Sequence, residues 1–144
     1  MNLYTIGFTK KNAKEFFETL KKAGVKTLID IRLNNKSQLA GFTKQDDLEY
    51  FLDKICRIKY IHMPILAPTK DILKRYQRKM LSWEQYENEF KDLLEERNIK
   101  KEVKLDLIDD ACLLCSESLA EKCHRKLAAE YFFRNYSGIK IIHL

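Results

Sequence analysis

Short β-prone segments alternate with segments of helical period along the chain, and this alternation constrains the fold more than any other feature. Apolar and β-branched runs predict strands at 3–8, 27–31, 60–63, 111–115 and 139–144. Apolar stripes predict helices at 13–23, 44–55, 71–79, 83–98 and 119–135, whereas 99–110 is mixed and charged and has no clear pattern. The alternation predicts a single three-layer α/β domain over residues 1–144, with a mostly parallel sheet and helices on both faces.

Residues suited to helix ends support these boundaries. Asn12 is placed to cap the first helix and Thr43 to cap the second, which is expected to bury Ile55. Ser82 and Gln85 have the spacing of a capping box for the helix that follows them.

Composition bounds the class of protein. A chain of 144 residues that is 45% hydrophobic and 33% charged can bury a core without disulfide support. No secretory segment follows Met1 and the apolar runs are shorter than the ~18 residues of a membrane span, so we expect a cytoplasmic protein with reduced thiols and no membrane association. The net charge of +6 favours an anionic partner, such as a nucleotide, nucleic acid or phosphorylated metabolite, although a solvated lysine-rich surface is the simpler explanation.

The residues that follow the strands are expected to share one edge of the sheet. Right-handed crossovers place the carboxyl ends of parallel strands on the same side, where open α/β proteins bind their ligands. Gly7, Arg32, Pro64 and Cys115 each stand at or next to the end of a predicted strand. The sequence therefore predicts that these four positions lie along the carboxyl edge of the sheet.

The second strand and the loop after it supply candidate ligand-binding residues. The loop 33–43 is long for a connection inside a domain, which is typical of functional loops, and Asn34 and Ser37 are its candidate ligand contacts. Strand alternation points Asp30 and Arg32 to the same face. An ion pair between them is therefore the structural alternative to a ligand contact by Arg32.

The segment 111–125 is richest in side chains that can react or bind a metal, because it holds three of the four cysteines and one of the three histidines. Cys112 lies inside the predicted strand and is expected to be a buried apolar side chain. Cys115 falls where the strand ends, and a following helix N-terminus together with Arg125 would stabilise its thiolate. The alternative for Cys115 is a second buried core cysteine.

A structural metal site is an alternative for the same segment. Cys115, Cys123 and His124 could be three zinc ligands, with Cys112, His62 or His143 as a fourth. Seven residues separate Cys115 from Cys123, which is longer than the usual zinc knuckle, and residues three apart on a strand point to opposite faces. We therefore predict no metal and no cofactor.

Polar residues around Cys115 complete the candidate site. Ser118 and Glu121 have capping-box spacing, which explains both without a function. Glu117 is not explained in this way and is a candidate acid, base or arginine partner. His124 is either a packing residue or a catalyst. Arg125 is expected either to pair with Glu117 or to hold an anion through two parallel hydrogen bonds.

Taken together, these segments resemble the domain of unknown function family 488. The most specific pieces of the resemblance are Leu113-Leu114-Cys115-Ser116-Glu117 and Cys123-His124-Arg125. The other matching segments are 4–7, 28–32, 34–42, 60–64, 66–69 and 142–144. The resemblance covers nearly the whole chain and implies a fold and a pocket, but no reaction.

A weaker likeness connects the chain with rhodanese-like domains. Segment 28–32 is similar to their Asp-Val-Arg strand end, and 113–117 is similar to the strand that leads into their cysteine loop. Arg125 follows Cys115 by ten residues, however, and no compact glycine-rich loop lies between them. This difference argues against sulfur transfer and against the chemistry of Cys-x5-Arg phosphatases.

The sequence leaves two hypotheses for function. The first is an enzyme or ligand-processing domain with an anion site at the carboxyl edge, in which Cys115, Glu117 and His124 are the candidate catalytic residues. Its candidate ligand-binding residues are Arg32, Asn34, Ser37 and Arg125. The second is a non-catalytic module that binds nucleic acid or protein. Neither hypothesis specifies a reaction, a substrate or an oligomeric state.

Overall fold

Five apolar segments form the strands of one sheet in the computed structural model, which describes residues 1–36, 41–116 and 122–144. The strands are β1 (Asn2–Gly7), β2 (Thr27–Asp30), β3 (Lys59–His62), β4 (Ala111–Cys115) and β5 (Lys140–His143), in the spatial order β3-β2-β4-β1-β5. All of their pairings are parallel. The predicted parallel sheet is therefore confirmed, and the most apolar run, β4, lies at its centre with every residue buried.

The helices of the described residues are α1 (Ala13–Ala23), α2 (Gln45–Phe51), α3 (Lys70–Gln77), α4 (Trp83–Glu96), α5 (Ile99–Glu102), α6 (Leu105–Ile108) and α7 (His124–Asn135). The Asn12 side chain accepts a hydrogen bond from the backbone of Glu15, and Ser82 and Gln85 form the predicted capping box. The segment 99–110, which had no clear pattern, contains the two short helices α5 and α6. None of these helices combines the length and the apolar character needed to cross a membrane.

The helices cover both faces of the sheet, as predicted. On the first face, Phe16 of α1 and Leu48 of α2 pack in one core cluster with Leu28 and Leu114. On the second face, α3, α4 and α7 pack against strand residues such as Leu113 in a separate cluster. Alternate residues of β2 and β4 belong to the core clusters on opposite faces of the sheet. Because both faces are buried, both strands are continuous apolar runs in the sequence.

The second helical segment differs from its prediction at both ends. Thr43 ends a short 3₁₀ helix (Gly41–Thr43), so Lys44 rather than Thr43 precedes α2. After α2 the chain continues as a π-helix over Leu52–Cys56. A π turn holds more residues than an α turn and so rotates the following side chains around the axis. Ile55 is 50% exposed as a result, and the prediction that it is buried was wrong.

The last helix also begins later than predicted. Cys123 has an extended backbone (φ −136°, ψ 142°) and is the N-cap of α7, which starts at His124. The helical prediction for Lys122 and Cys123 was therefore wrong. Apolar periodicity along the chain carries no information about the contact between the Cys123 and Cys115 sulfurs. The proposed capping box of Ser118 and Glu121 lies outside the described residues.

The chain connections diverge at the carboxyl end of β4. The chain leaves β4 toward α7 on the second face, whereas it leaves the neighbouring β1 and β2 toward α1 and α2 on the first face. Gly7 pairs with Cys115, and Asp30 pairs with both Leu114 and His62, so the carboxyl ends share one edge as predicted. Neighbouring strands whose connections diverge in this way mark the usual ligand-binding position of open α/β sheets.

Candidate functional site

Cys115 is the last residue of β4, at the point where the connections diverge, and 3% of its surface is exposed. Its Sγ atom is 2.7 Å from Sγ of Cys123 and 3.6 Å from Nδ1 of His124. The N-terminal end of α7 supplies both partners, because Cys123 is its N-cap and His124 its first residue. The structure therefore brings Cys115 and His124, two of the predicted catalytic residues, into direct contact.

The contact made by the other ring nitrogen of His124 determines which nitrogen of the imidazole carries the hydrogen. Nε2 lies 2.8 Å from the backbone carbonyl oxygen of Ile31. A carbonyl oxygen can only accept a hydrogen bond, so Nε2 carries the hydrogen and Nδ1 of the neutral ring is left as an acceptor. The ring also meets Phe90 edge-on, with centroids 5.8 Å apart. His124 is therefore oriented to take a proton from the Cys115 thiol.

The electrostatics favour a charged pair between these two side chains. Burial alone would lower the pKa of His124, but the negative charge of Cys115 and the hydrogen bonds to Cys115 and to the Ile31 carbonyl raise it above its ordinary value of 6.5. The imidazolium is stabilised when Cys115 is a thiolate. A thiolate and an imidazolium in contact are the activated state of a nucleophilic cysteine, and the raised pKa of His124 favours the imidazolium half of such a pair.

Cys123 is the protonated member of the thiol pair. Its hydrogen bond with Cys115, its burial and the negative charge of Cys115 all raise the pKa of the Cys123 thiol. Cys123 therefore keeps its proton and donates it toward Sγ of Cys115. Cys112 behaves differently, because it is fully buried in the cluster on the first face and burial raises its pKa. The prediction of a buried apolar side chain at Cys112 is confirmed.

Arg125 is a buried cation in the first turn of α7, with 1% of its surface exposed. Burial lowers the pKa of Lys11, and the positive charge of Arg125 lowers it further. The same two causes, in the same order, lower the pKa of His143. Arg125 thus lies close enough to β1 and β5 to raise the electrostatic potential at their carboxyl ends.

Arg32 forms an ion pair with Asp30, which is the structural alternative to a ligand contact by Arg32. Nε and Nη2 of Arg32 donate to the two carboxylate oxygens of Asp30 at 2.9 and 2.8 Å, and both side chains are buried. Nη2 also donates to the carbonyl oxygen of Thr43 at 2.7 Å, and the guanidinium lies over the Phe8 ring. Arg32 therefore joins the loop after β2 to the sheet.

Further polar residues extend this network, and two of them, Tyr60 and Asn35, were not singled out from the sequence. Tyr60 donates a hydrogen bond to Asp30 at 2.6 Å, and Asn35 donates to the Tyr60 hydroxyl at 3.1 Å. Burial and the hydrogen bond to Asp30 raise the pKa of Tyr60, so the hydroxyl remains a donor. His62 contacts the carbonyl oxygen of Arg32 at 2.9 Å. We define these contacts, with the Asp30–Arg32 pair, as the β2-end network. It positions the backbone next to Ile31, whose carbonyl orients His124.

Asn34 is not part of the β2-end network or of the group formed by Cys115, Cys123 and His124. Asn34 is exposed, and its Oδ1 accepts a hydrogen bond from the backbone of Lys36 at 3.2 Å. Ser37 and Glu117 lie outside the described residues. The pairing of Arg125 with Glu117 accordingly stays a prediction.

Cys115, Cys123 and His124 could also hold a metal ion, because their ligand atoms lie within 4.8 Å of one another. Two thiolates on one tetrahedral zinc ion lie about 3.8 Å apart, since each Zn–S bond is about 2.3 Å long. The 2.7 Å separation of the two sulfurs is much shorter than this and shorter than van der Waals contact between two sulfur atoms, and it lies nearer the about 2.05 Å of a disulfide. We therefore interpret Cys115 and Cys123 as a close thiol pair rather than as ligands of one zinc ion.

Elemental analysis tests this interpretation. We expect the reduced protein, purified without added metal, to contain far less than one zinc ion per chain. The variants Cys115→Ser and Cys123→Ser should leave the metal content unchanged. A content of one metal per chain that disappears in Cys123→Ser would show that the three side chains are ligands.

Comparison with known proteins identifies a family. No curated protein and no solved structure matches the chain. The family model described as "Domain of unknown function DUF488" matches residues 12–132, a span that includes the β2-end network and the Cys115–Cys123–His124 cluster. The chain therefore belongs to the DUF488 family.

Proposed function

We propose that this protein is an enzyme that uses Cys115 as a nucleophile on an anionic substrate bound at the carboxyl edge of the sheet. One observation carries the proposal: Sγ of Cys115 faces the acceptor nitrogen of His124, whose other nitrogen is held by the Ile31 carbonyl. A thiol beside a base that a third group orients is the arrangement that activates a cysteine nucleophile.

The charge distribution supports an anionic substrate. The positive charge of Arg125 reaches Lys11 and contributes to lowering its pKa, and the N-terminal end of α7 adds the positive end of its dipole. The dipole contributes roughly 0.3–1 kcal/mol to anion binding, whereas a hydrogen bond to a charged side chain contributes about 1.5–3 kcal/mol. A charged side chain at the edge, such as Lys11, therefore dominates the binding of a phosphate group. A nucleotide or phosphorylated metabolite fits this chemistry.

Cys115, Cys123 and His124 carry out the proposed reaction, and the β2-end network positions them. The Cys115 thiolate forms a bond to the electrophilic atom of the substrate, and the leaving group takes the proton of the His124 imidazolium. Cys123 stabilises the thiolate before the attack by donating its hydrogen bond. The β2-end network fixes the Ile31 carbonyl and so keeps the His124 ring in place; its residues are positioning residues.

Alkylation of the four cysteines by two matched reagents tests the proposal. At pH 7 we expect iodoacetamide to label Cys115 about tenfold faster than Cys56, because a largely ionised thiol outreacts one that is a few per cent ionised. Iodoacetate is the anionic counterpart, and its rate relative to iodoacetamide should be higher at Cys115 than at Cys56. Inorganic phosphate should slow labelling at Cys115 only. Site-specific rates come from peptide mass spectrometry.

A pair of lysine variants separates a local anion site from general charge. Lys11→Met should lower the iodoacetate preference of Cys115, whereas Lys14→Met, which removes an exposed charge of the same sign from α1, should not. If Cys115 labels no faster than Cys56 and phosphate has no effect, the thiol is not activated. The non-catalytic binding module then becomes the better hypothesis.

A further inference from the structure

We propose that Cys115 and Cys123 are a reversible oxidation site, in which a hydroperoxide converts the two thiols into a disulfide. The inference deepens the proposed function, since it relies on the same activated thiol, but it adds a second role for that thiol and a role for Cys123. While the disulfide exists, Cys115 has no thiolate and the nucleophile is switched off.

Geometry selects this pair among the four cysteines, all of which lie in the described residues. The two sulfurs are 2.7 Å apart, against about 2.05 Å in a disulfide, so a small side-chain movement joins them. Cys112 points into the core of the opposite face. Sγ of Cys56 contacts the carbonyl oxygen of Phe17, also on the first face. Neither is placed to reach Cys115.

The first step oxidises Cys115. Its thiolate attacks the distal oxygen of the hydroperoxide, an S–O bond forms and the O–O bond breaks. The leaving alkoxide or hydroxide takes the proton of the His124 imidazolium, which lies beside Sγ at 3.6 Å. Cys115 becomes a sulfenic acid, and the peroxide is reduced to an alcohol or to water. Sulfur loses the two electrons that the peroxide gains.

The second step resolves the sulfenic acid. Sγ of Cys123 attacks Sγ of Cys115, the S–S bond forms and the S–O bond breaks. The thiol proton of Cys123 and the hydroxyl group of the sulfenic acid leave together as water. Reduction by a small-molecule dithiol reverses the change and restores both thiols.

Stoichiometric hydrogen peroxide added to the reduced full-length chain tests the inference. We expect the intact mass to fall by two hydrogens, and proteolysis to recover a linked pair of peptides that contain Cys115 and Cys123. Dithiothreitol should reverse the change. In Cys123→Ser the same treatment should instead give a sulfenic acid on Cys115 that dimedone traps. Cys56→Ser and Cys112→Ser are matched controls and should form the disulfide like the unchanged chain.

Several results would overturn the inference. These are a mass that does not change, a disulfide that involves Cys56 or Cys112, and loss of two hydrogens that persists in a folded Cys123→Ser variant. A Cys123→Ala variant guards against a folding defect specific to serine, and circular dichroism checks the fold of both. Selective alkylation of Cys115 without a disulfide would refute only the inference. A disulfide that forms although Cys115 has no alkylation preference would refute only the proposed function.

Discussion

Replacing Arg32 with methionine is expected to lower the free energy of unfolding by about 3–5 kcal/mol, because it leaves a buried carboxylate without its cation. Asp30 is completely buried, and Arg32 supplies two of the hydrogen bonds to its oxygens through Nε and Nη2. Tyr60 and the backbone N–H of residue 32 remain as donors, but neither carries a charge. The measurement is urea denaturation followed by circular dichroism.

The chain offers a matched control for this variant. Lys26 pairs with Asp110 at 3.0 Å, but the two side chains are 67% and 27% exposed. Water solvates both groups after the pair is broken, so Lys26→Met should lower the free energy of unfolding far less than Arg32→Met. Equal losses for the two variants would contradict the assignment of Arg32 as the compensating charge of the β2-end network.

Replacing His124 with glutamine is expected to slow the alkylation of Cys115 at pH 7 by about ten- to a hundredfold. The amide can still donate to the Ile31 carbonyl, but it cannot accept the thiol proton, so the thiolate population falls toward that of an ordinary cysteine. The rate in the variant should then rise up to about pH 8.5, where ordinary thiols ionise. In the unchanged chain the thiolate–imidazolium pair should keep the rate nearly level from neutral pH upward.

His143→Gln is the control for this substitution. His143 is the last residue of β5 and lies outside the β2-end network; its described contact is with the Thr5 hydroxyl at 2.6 Å and not with Cys115. Its replacement should leave the reactivity of Cys115 within about twofold of the unchanged chain, because the thiol keeps its base. A similar loss in both variants would mean that the slower alkylation does not come from removing the base beside Cys115.

The sequence predicted the parts of the site that depend on local pattern. The end of β4 at Cys115 was predictable because an apolar run gives way to polar residues there, and a terminal cysteine on a parallel strand must face the carboxyl edge. The caps Asn12 and Ser82 were predictable for a similar reason, since a capping side chain acts within three residues of its own position. Both predictions needed no knowledge of the tertiary structure.

The rest of the site depends on which strands become neighbours. His124 contacts the Ile31 carbonyl only because β2 pairs with β4, and no local sequence pattern predicts which strands become neighbours. Tyr60 reaches Asp30 because Leu28 and Tyr60 are opposite each other in the β2–β3 register. The grouping of Cys115, Cys123 and His124 was recognised, but only as a metal site, since spacing along the chain does not give the distance between two sulfurs.

The contact between His124 and Ile31 joins residues 93 positions apart in the sequence. Contacts of such long range close large loops and are made late when a chain folds, after local helices and turns have formed. In a newly made or partly folded chain Cys115 is an ordinary thiol, so the enhanced reactivity that we propose for it would arise only when β4 has docked beside β2. The alkylation rate of Cys115 is therefore expected to report whether the pairing of β2 with β4 has formed during folding.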